Sequence, residues 1–325
     1  MDTKILITGG AGFIGSHLAE ALLAKGCGVT VLDNLSTGNL RNLAAVNDRI
    51  RFIEGDIRNA ADIEKAISGC AAVVHLAAMV LVPQTIDDPV GAALINEIGS
   101  LNVLEAARKN GCRRVVLASS AAVYGNNPDL PKHERMASDP LSPYAVQKLA
   151  MEHYAGLYHI LYGLETVSLR FFNVFGPRQD PSSPYSGVIS IFLEKASRSK
   201  APAIFGDGLQ TRDFIYVTDV AAACVAAIKG GGAGQVFNIG TGHQTTIRRL
   251  WGEISAIAGA PRQPQIAPER PGDVRHSVAD ITRASQILGF RPTVSLEDGL
   301  RTTCEWYRSF THHNIKNSAY HRETE

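Results

Sequence analysis

The stretch ILITGGAGFIGSHLAEALLAKG, residues 5–26, decides how this chain folds. Residues 4–8 are apolar and β-branched, which reads as a buried strand. Gly9, Gly12 and Gly15 come next at regular spacing, and an amphipathic helical pattern begins at once behind them. Glycine lets the backbone turn tightly and approach a pyrophosphate, which then rests on the helix N-terminus. Three glycines alone are weak evidence. A strand before them and a helix after them is the context such a site needs.

The same alternation continues outward. Apolar runs at 28–33, 49–55, 71–77 and 113–119 are mostly separated by helical stretches, such as 13–25 and 92–109. Strands apolar on both faces, alternating with helices, predict an α/β fold with a parallel, doubly wound, Rossmann-type sheet. A further helix is predicted over 143–162 and a strand over 166–172. The second strand ends at Asp33, eighteen residues past Gly15. A carboxylate there accepts hydrogen bonds from an adenosine ribose and repels a 2′-phosphate, so the cofactor is expected to be NAD rather than NADP. The sequence GDI at 55–57 closes the third strand, where an acid can face adenine.

After residue 175 the texture changes. GPRQDPSSPYSG (176–187) reads as a loop. The remainder of the chain mixes short helices, strands and turns, and predicts a smaller α/β substrate-binding lobe over the carboxyl edge of the sheet. RDFIYVTDV (212–220) looks core-like again, so the boundary is interleaved. The expected division is a dinucleotide-binding domain at 1–175 with later segments such as 212–245 interleaved, and a second lobe mainly at 176–310. A polar, frayed tail is expected at 311–325, THHNIKNSAYHRETE.

Composition narrows the function. Lys and Arg number 32 against 31 Asp and Glu, a net charge of +1. That balance offers no field for nucleic acid or an acidic membrane, so an anionic ligand must be held by local arginines. The five cysteines form no CxxC pair, which suggests neither a disulfide framework nor a zinc site and fits a reducing cytoplasm. No metal is expected. The N-terminus has no signal-peptide layout, and the longest apolar run, LAAMVLV (76–82), is too short to span a bilayer.

The chemistry is expected where strands end. SSAAVYG (119–125) closes the run RRVVLA, placing Ser120 at a strand terminus. In LSPYAVQK (141–148), Ser142 and Pro143 form a helix start. Tyr144 and Lys148, four apart, then share a helix face. A neighbouring ammonium and the positive helix end both favour the phenolate, so Tyr144 reads as a base for a sugar hydroxyl.

The glycine motif, SSAAVYG, YAVQK, LRFFNVFGPRQ, DGLQTRDFIYV and RPGDVRHS together resemble the extended short-chain dehydrogenase/reductases, and more narrowly the NAD-dependent nucleotide-sugar 4-epimerases. The likeness runs through residues 1–310. It implies that Gly9, Gly12, Phe13, Ile14, Gly15, Asp33 and Asn34 line the NAD pyrophosphate and ribose. Asp56 and Ile57 would meet adenine, Leu76, Ala77 and Ala78 would line the cofactor groove, and Asn96 would support the loop of the fourth strand. Ser120 would hydrogen-bond the hydroxyl being oxidised, with Tyr144 as base and Lys148 on the nicotinamide ribose. On the substrate side the resemblance implies Asn173, Val188, Gln210, Arg212, Arg270, Asp273 and Ser277. Arg212 and Arg270 would clamp the diphosphate, and Asp273 the uridine ribose. A homodimer is implied through helices at about 88–110 and 143–162.

Related dehydratases carry Asp-Glu before VYG, and decarboxylases a Glu. This chain has Ala121 and Ala122, so the expected reaction is 4-epimerisation of a UDP-sugar through a 4-keto intermediate. Small Ser277 at the hexose pocket implies that N-acetylated sugars are accepted beside plain hexoses. Two departures bear on sugar contacts: Ala121 replaces a second hydroxyl residue, and Leu81 replaces a small or polar one. The alternative is a UDP-glucuronate 4-epimerase, with Arg178 as the cation for the carboxylate. A non-catalytic nucleotide-binding scaffold is less consistent, because the Tyr/Lys pair is retained.

Overall fold

A computed structural model describes residues 3–180, 187–261, 263–269 and 274–320, with side chains through residue 309. Its first half is the predicted alternation. β1 (Lys4–Thr8), α1 (Phe13–Ala24), β2 (Gly28–Asp33), β3 (Ile50–Glu54), α2 (Ala60–Ile67) and β4 (Ala72–His75) come in order. Then come α3 (Val82–Asp87), α4 (Pro89–Ala93), a π-helical turn (Leu94–Ile98) and α5 (Gly99–Lys109). β5 (Arg114–Ser120), α6 (Pro143–Tyr162) and β6 (Glu165–Phe171) complete this part.

These strands form one parallel sheet, extended by β11 (Gln235–Ile239) in the order β11-β6-β5-β4-β1-β2-β3. The strand order reverses between β1 and β4, and ligands of open α/β sheets bind at the carboxyl ends beside that switch. Alternation along β1 sends Ile5 and Ile7 to one face and Leu6 to the other, all fully buried. Ile5 and Ile7 belong to the core under α1 and α8 (Val217–Lys229). Leu6 belongs to the core under α2, α5 and α6. The fold class expected from the sequence is the fold class found.

The chain leaves this sheet at Phe171 and adds short elements: β7 (Asn173–Phe175), α7 (Val188–Ser197), β8 (Ala203–Phe205), β9 (Thr211–Arg212) and β10 (Phe214–Tyr216). It then returns, α8 packing on α1 and β11 pairing with β6. The last elements are β12 (Thr245–Thr246), α9 (Ile247–Ala258), β13 (Gln265–Ala267), α10 (Thr282–Leu288) and α11 (Leu296–Tyr320). A second core lies between α7, α9 and α11, where Phe192 meets Trp251 edge-on with centroids 5.4 Å apart.

α11 continues through residue 320, so the first ten residues of the expected frayed tail are helical. Leu300, Cys304 and Tyr307, at helical spacing, bury one face of this helix and anchor it. Residues 321–325 lie outside the described residues. Cys70, Cys112, Cys224 and Cys304 are buried free thiols, and Cys27 is partly buried. Among the described residues no helix is long and apolar enough to cross a membrane.

Candidate functional site

At the end of β1 the backbone turns through Gly9 at φ +70°. A Cβ on Gly9 would stand 2.7 Å from the Ala77 nitrogen, and one on Gly15 would stand 2.3 Å from the Gly9 oxygen. Glycine is required at both, because no L side chain fits these approaches. Gly12 is the N-cap of α1, and among the described residues no side chain caps it, so the first N–H groups of α1 lack a capping acceptor. This bare, positive helix end fits a dinucleotide pyrophosphate.

Asp33 braces the turn. Its carboxylate accepts from the Ala11 amide and from the Leu35 amide, both at 2.9 Å. Burial pushes its carboxyl up, against the pull of these two amides. Beyond it, Asn34 donates to Asp56 at 2.8 Å, and Arg58 forks onto the same carboxylate. The Arg58 guanidinium first of all holds Asp56 down at about 2. The Ile57 side chain is buried against Gly99, and its carbonyl accepts from Asn102 at 3.1 Å. Phe13 and Ile14 face the second core.

Leu76, Ala77 and Ala78 continue from β4, half-buried, and Asn96 holds the next residue. The Asn96 amide accepts from the Met79 N–H at 2.8 Å and donates to the Met79 carbonyl at 3.0 Å. A second donation goes to Gln147 at 2.7 Å.

Ser120, Tyr144 and Lys148 come together at the end of β5. Ser120 caps the 3₁₀ turn Ala121–Tyr124, its hydroxyl accepting from the Ala122 amide at 3.1 Å. Ser142 caps α6 by accepting from Ala145, and Pro143 opens the helix, as the sequence predicts. Tyr144 lies in its first turn, its hydroxyl near Ser120. The Lys148 Nζ donates to the Ala118 carbonyl at 2.7 Å and stands 5.7 Å from the Tyr144 ring centroid. Burial pushes Lys148 down to about 8, with the Glu152 carboxylate opposing. Burial also pushes the Tyr144 hydroxyl up, and Ser120 only partly offsets it. The sequence pattern predicts a phenolate favoured by the ammonium. In the protein alone desolvation is the larger effect.

Sequence reasoning missed the groups behind these three. Glu152, one helical turn past Lys148, accepts from Ser119 and forms a buried two-pronged ion pair with Arg170 at 2.8 and 2.7 Å. Arg170 stacks over the Tyr124 ring at 4.7 Å. The Tyr124 hydroxyl donates to Asn238 of β11 at 2.6 Å. The four-residue spacing from Lys148 was the available signal for Glu152. Arg170 and Asn238 come from other strands and carry no local signal.

The remaining sites lie across the sheet edge. Asn173 is exposed on β7, and Val188 opens α7. The Gln210 side chain donates to the Phe205 carbonyl at 2.8 Å, while its buried Oε1 has no hydrogen-bond partner among the described residues. Arg212 sits on β9, and the Ser277 amide donates to the neighbouring Thr211 carbonyl at 3.1 Å. Ser277 and Arg212 are therefore brought to one place. Arg270 and Asp273 lie outside the described residues. Arg178, the cation considered for a uronate, is held at 2.5 Å by Glu20 of α1.

The fold and this edge together define a class: dinucleotide-dependent enzymes of the short-chain dehydrogenase/reductase type. The model of the NAD dependent epimerase/dehydratase family matches residues 5–240, and the chain belongs to that family. It is 42% identical over 315 residues to a UDP-glucose 4-epimerase of Mycolicibacterium smegmatis, covering 94% of this chain and 99% of the relative. The UDP-N-acetylglucosamine 4-epimerase of Methanobrevibacter ruminantium, solved with UDP-N-acetylmuramic acid, is 40% identical with a TM-score of 0.91, over 95% of this chain and 99% of that one. The NAD complex of the UDP-glucose 4-epimerase of Thermus thermophilus is 38% identical with a TM-score of 0.85, over 94% and 99%.

Proposed function

We propose that the protein is a UDP-sugar 4-epimerase that interconverts UDP-glucose with UDP-galactose and UDP-N-acetylglucosamine with UDP-N-acetylgalactosamine. One observation carries the reading: Ser120, Tyr144 and Lys148 converge beside Ala121 and Ala122, which supply no carboxyl group. The set can move one proton on a sugar hydroxyl but, at these two positions, has nothing to remove a C5 proton or expel water.

Ser120 orients the C4 hydroxyl and Tyr144 takes its proton, so that C4 becomes a ketone. The glycine turn and Asp33 would hold NAD, which would supply a reversible hydride acceptor for C4. After the sugar turns over, Tyr144 returns the proton to O4 and the configuration at C4 is inverted. Arg212 and Arg270 would hold the diphosphate, since guanidinium forks match phosphate oxygens. Asn173 would also hold the sugar diphosphate and Asp273 the uridine ribose, with Val188 and Gln210 around the rest. Glu20 engages the Arg178 Nη2, while the buried Nη1 has no partner among the described residues, so the uronate alternative is decided by the rate comparison below.

Ser277 sets the sugar range. An acetamido group at C2 sweeps extra volume as the sugar turns, and close-packed walls resist such overfilling by about 1–3 kcal/mol. A serine leaves that volume open. Epimerisation rates with UDP-glucose, UDP-N-acetylglucosamine and UDP-glucuronate test this reading. The first two are expected to turn over, and Ser277→Tyr should abolish the acetylated reaction while sparing the plain one. A wild type that ignores acetylated sugars, or converts the uronate preferentially, overturns it.

A further inference from the structure

His75 is the last residue of β4 and is 2% exposed. It takes no part in the proton and hydride steps at C4. Its Nδ1 lies 2.7 Å from the Thr8 hydroxyl and its Nε2 2.9 Å from the Ser100 hydroxyl. The far end of the chain fixes the proton positions. Ser100 Oγ stands 2.5 Å from the Asn96 carbonyl, which can only accept. The Ser100 proton therefore points to Asn96, and its oxygen accepts from His75 Nε2–H. The bare Nδ1 then accepts from Thr8, whose oxygen remains able to accept the Ala77 amide at 3.4 Å. Burial, with the Lys148 charge as a lesser cause, pushes the ring down to about 3, so it is neutral at ordinary pH.

These bonds form one line through the molecule. It begins at Ala77, against which Gly9 turns, and passes through Thr8, His75 and Ser100 to Asn96 in the π-helical turn. Asn96 then grips the backbone of Met79 and donates to Gln147, the residue before Lys148 on α6. We propose that His75 is a positioning residue for hydride transfer, tying the glycine turn and the groove wall at Ala77 to the helix that carries Tyr144 and Lys148. The inference rests on those residues forming the reaction site. Its physical basis is that the hydride acceptor and the base are held by different segments. A displacement of about 1 Å between such segments can cost on the order of 100-fold in rate.

The test uses Thr8→Val, Ser100→Ala, His75→Leu, His75→Gln and Tyr144→Phe, purified as full chains. The kcat and KM for UDP-glucose, the loss of bound NAD on dialysis and the melting temperature are measured for each. Thr8→Val and Ser100→Ala, which delete single hydroxyls, should fold, lower kcat about tenfold and change KM by less than about twofold. Both should lose NAD faster than the wild type. His75→Gln, which keeps an amide N–H able to reach Ser100, should recover part of the kcat lost in His75→Leu. Hydroxyl variants with wild-type kcat and NAD retention overturn the proposal. So does a glutamine variant no better than leucine. Tyr144→Phe reads the site separately: it should keep NAD and lose turnover. If it turns over normally, the site reading falls and the positioning role falls with it.

Discussion

At Lys148 burial and chemistry oppose each other. The ammonium is wanted beside Tyr144, yet desolvation brings it down from 10.5 to about 8. Turnover is therefore expected to fall as pH rises through about 8, where Lys148 loses its proton. The stability effect has the opposite sign. Between about 8 and 10.5 the unfolded chain binds more protons at this residue than the folded one, so its contribution to stability rises with pH. Melting temperatures of the wild type and Lys148→Met across that window should show their gap closing with rising pH, or reversing in favour of the lysine. A kcat profile flat through the same window would remove the assignment. Tyr144 and Lys148 were legible in the sequence because four residues on one helix are a local relation. His75 was not, since its partner Thr8 lies 67 residues away. A histidine ending a strand looks the same whether it faces solvent or two buried hydroxyls.

Elements were read well where one period dominates. The helix predicted over 143–162 is α6 as found, and the strands deviate by a residue or two at their ends. The predicted helix at 92–109 is the exception. It is the end of α4, a π-helical turn and α5. A single inserted residue leaves apolar spacing nearly unchanged, so periodicity cannot see it, yet it belongs to the turn that carries Asn96. The glycine turn was read correctly because its constraint is steric. Gly15→Ala makes this measurable: the new methyl carbon would press on the Gly9 oxygen at 2.3 Å. The variant should purify without NAD and be less stable by about 1–3 kcal/mol, the usual cost of overpacking. An NAD-loaded Gly15→Ala protein would show that the turn is not the cradle.

On the scale of the whole molecule, apolar side chains lie exposed on two helical segments. Val90, at 71% exposure, shares the stretch with Leu94 and Ile98 at four-residue spacing. On α6, Val146, Leu157 and Ile160 are exposed, the last at 76%. Adjacent apolar stripes of this kind mark a protein interface, and they lie on the segments expected to pair in a homodimer. The wild type should sediment as a dimer at micromolar concentration, and the Val90→Glu, Ile160→Glu double variant as a monomer. A monomeric wild type would count against the pairing.

The return of the chain to its first sheet has a consequence in time. β11 pairs with β6, whose residues were made 68 positions earlier, and α8 covers α1 across a still longer stretch of chain. A ribosome that has released only residues 1–175 has therefore produced a sheet with an open edge at β6 and an uncovered helix face. Such edges invite pairing with other chains. The nascent protein must carry that exposed edge until residue 239 has emerged, and a gene cut after residue 175 would express a first piece with the β6 edge open.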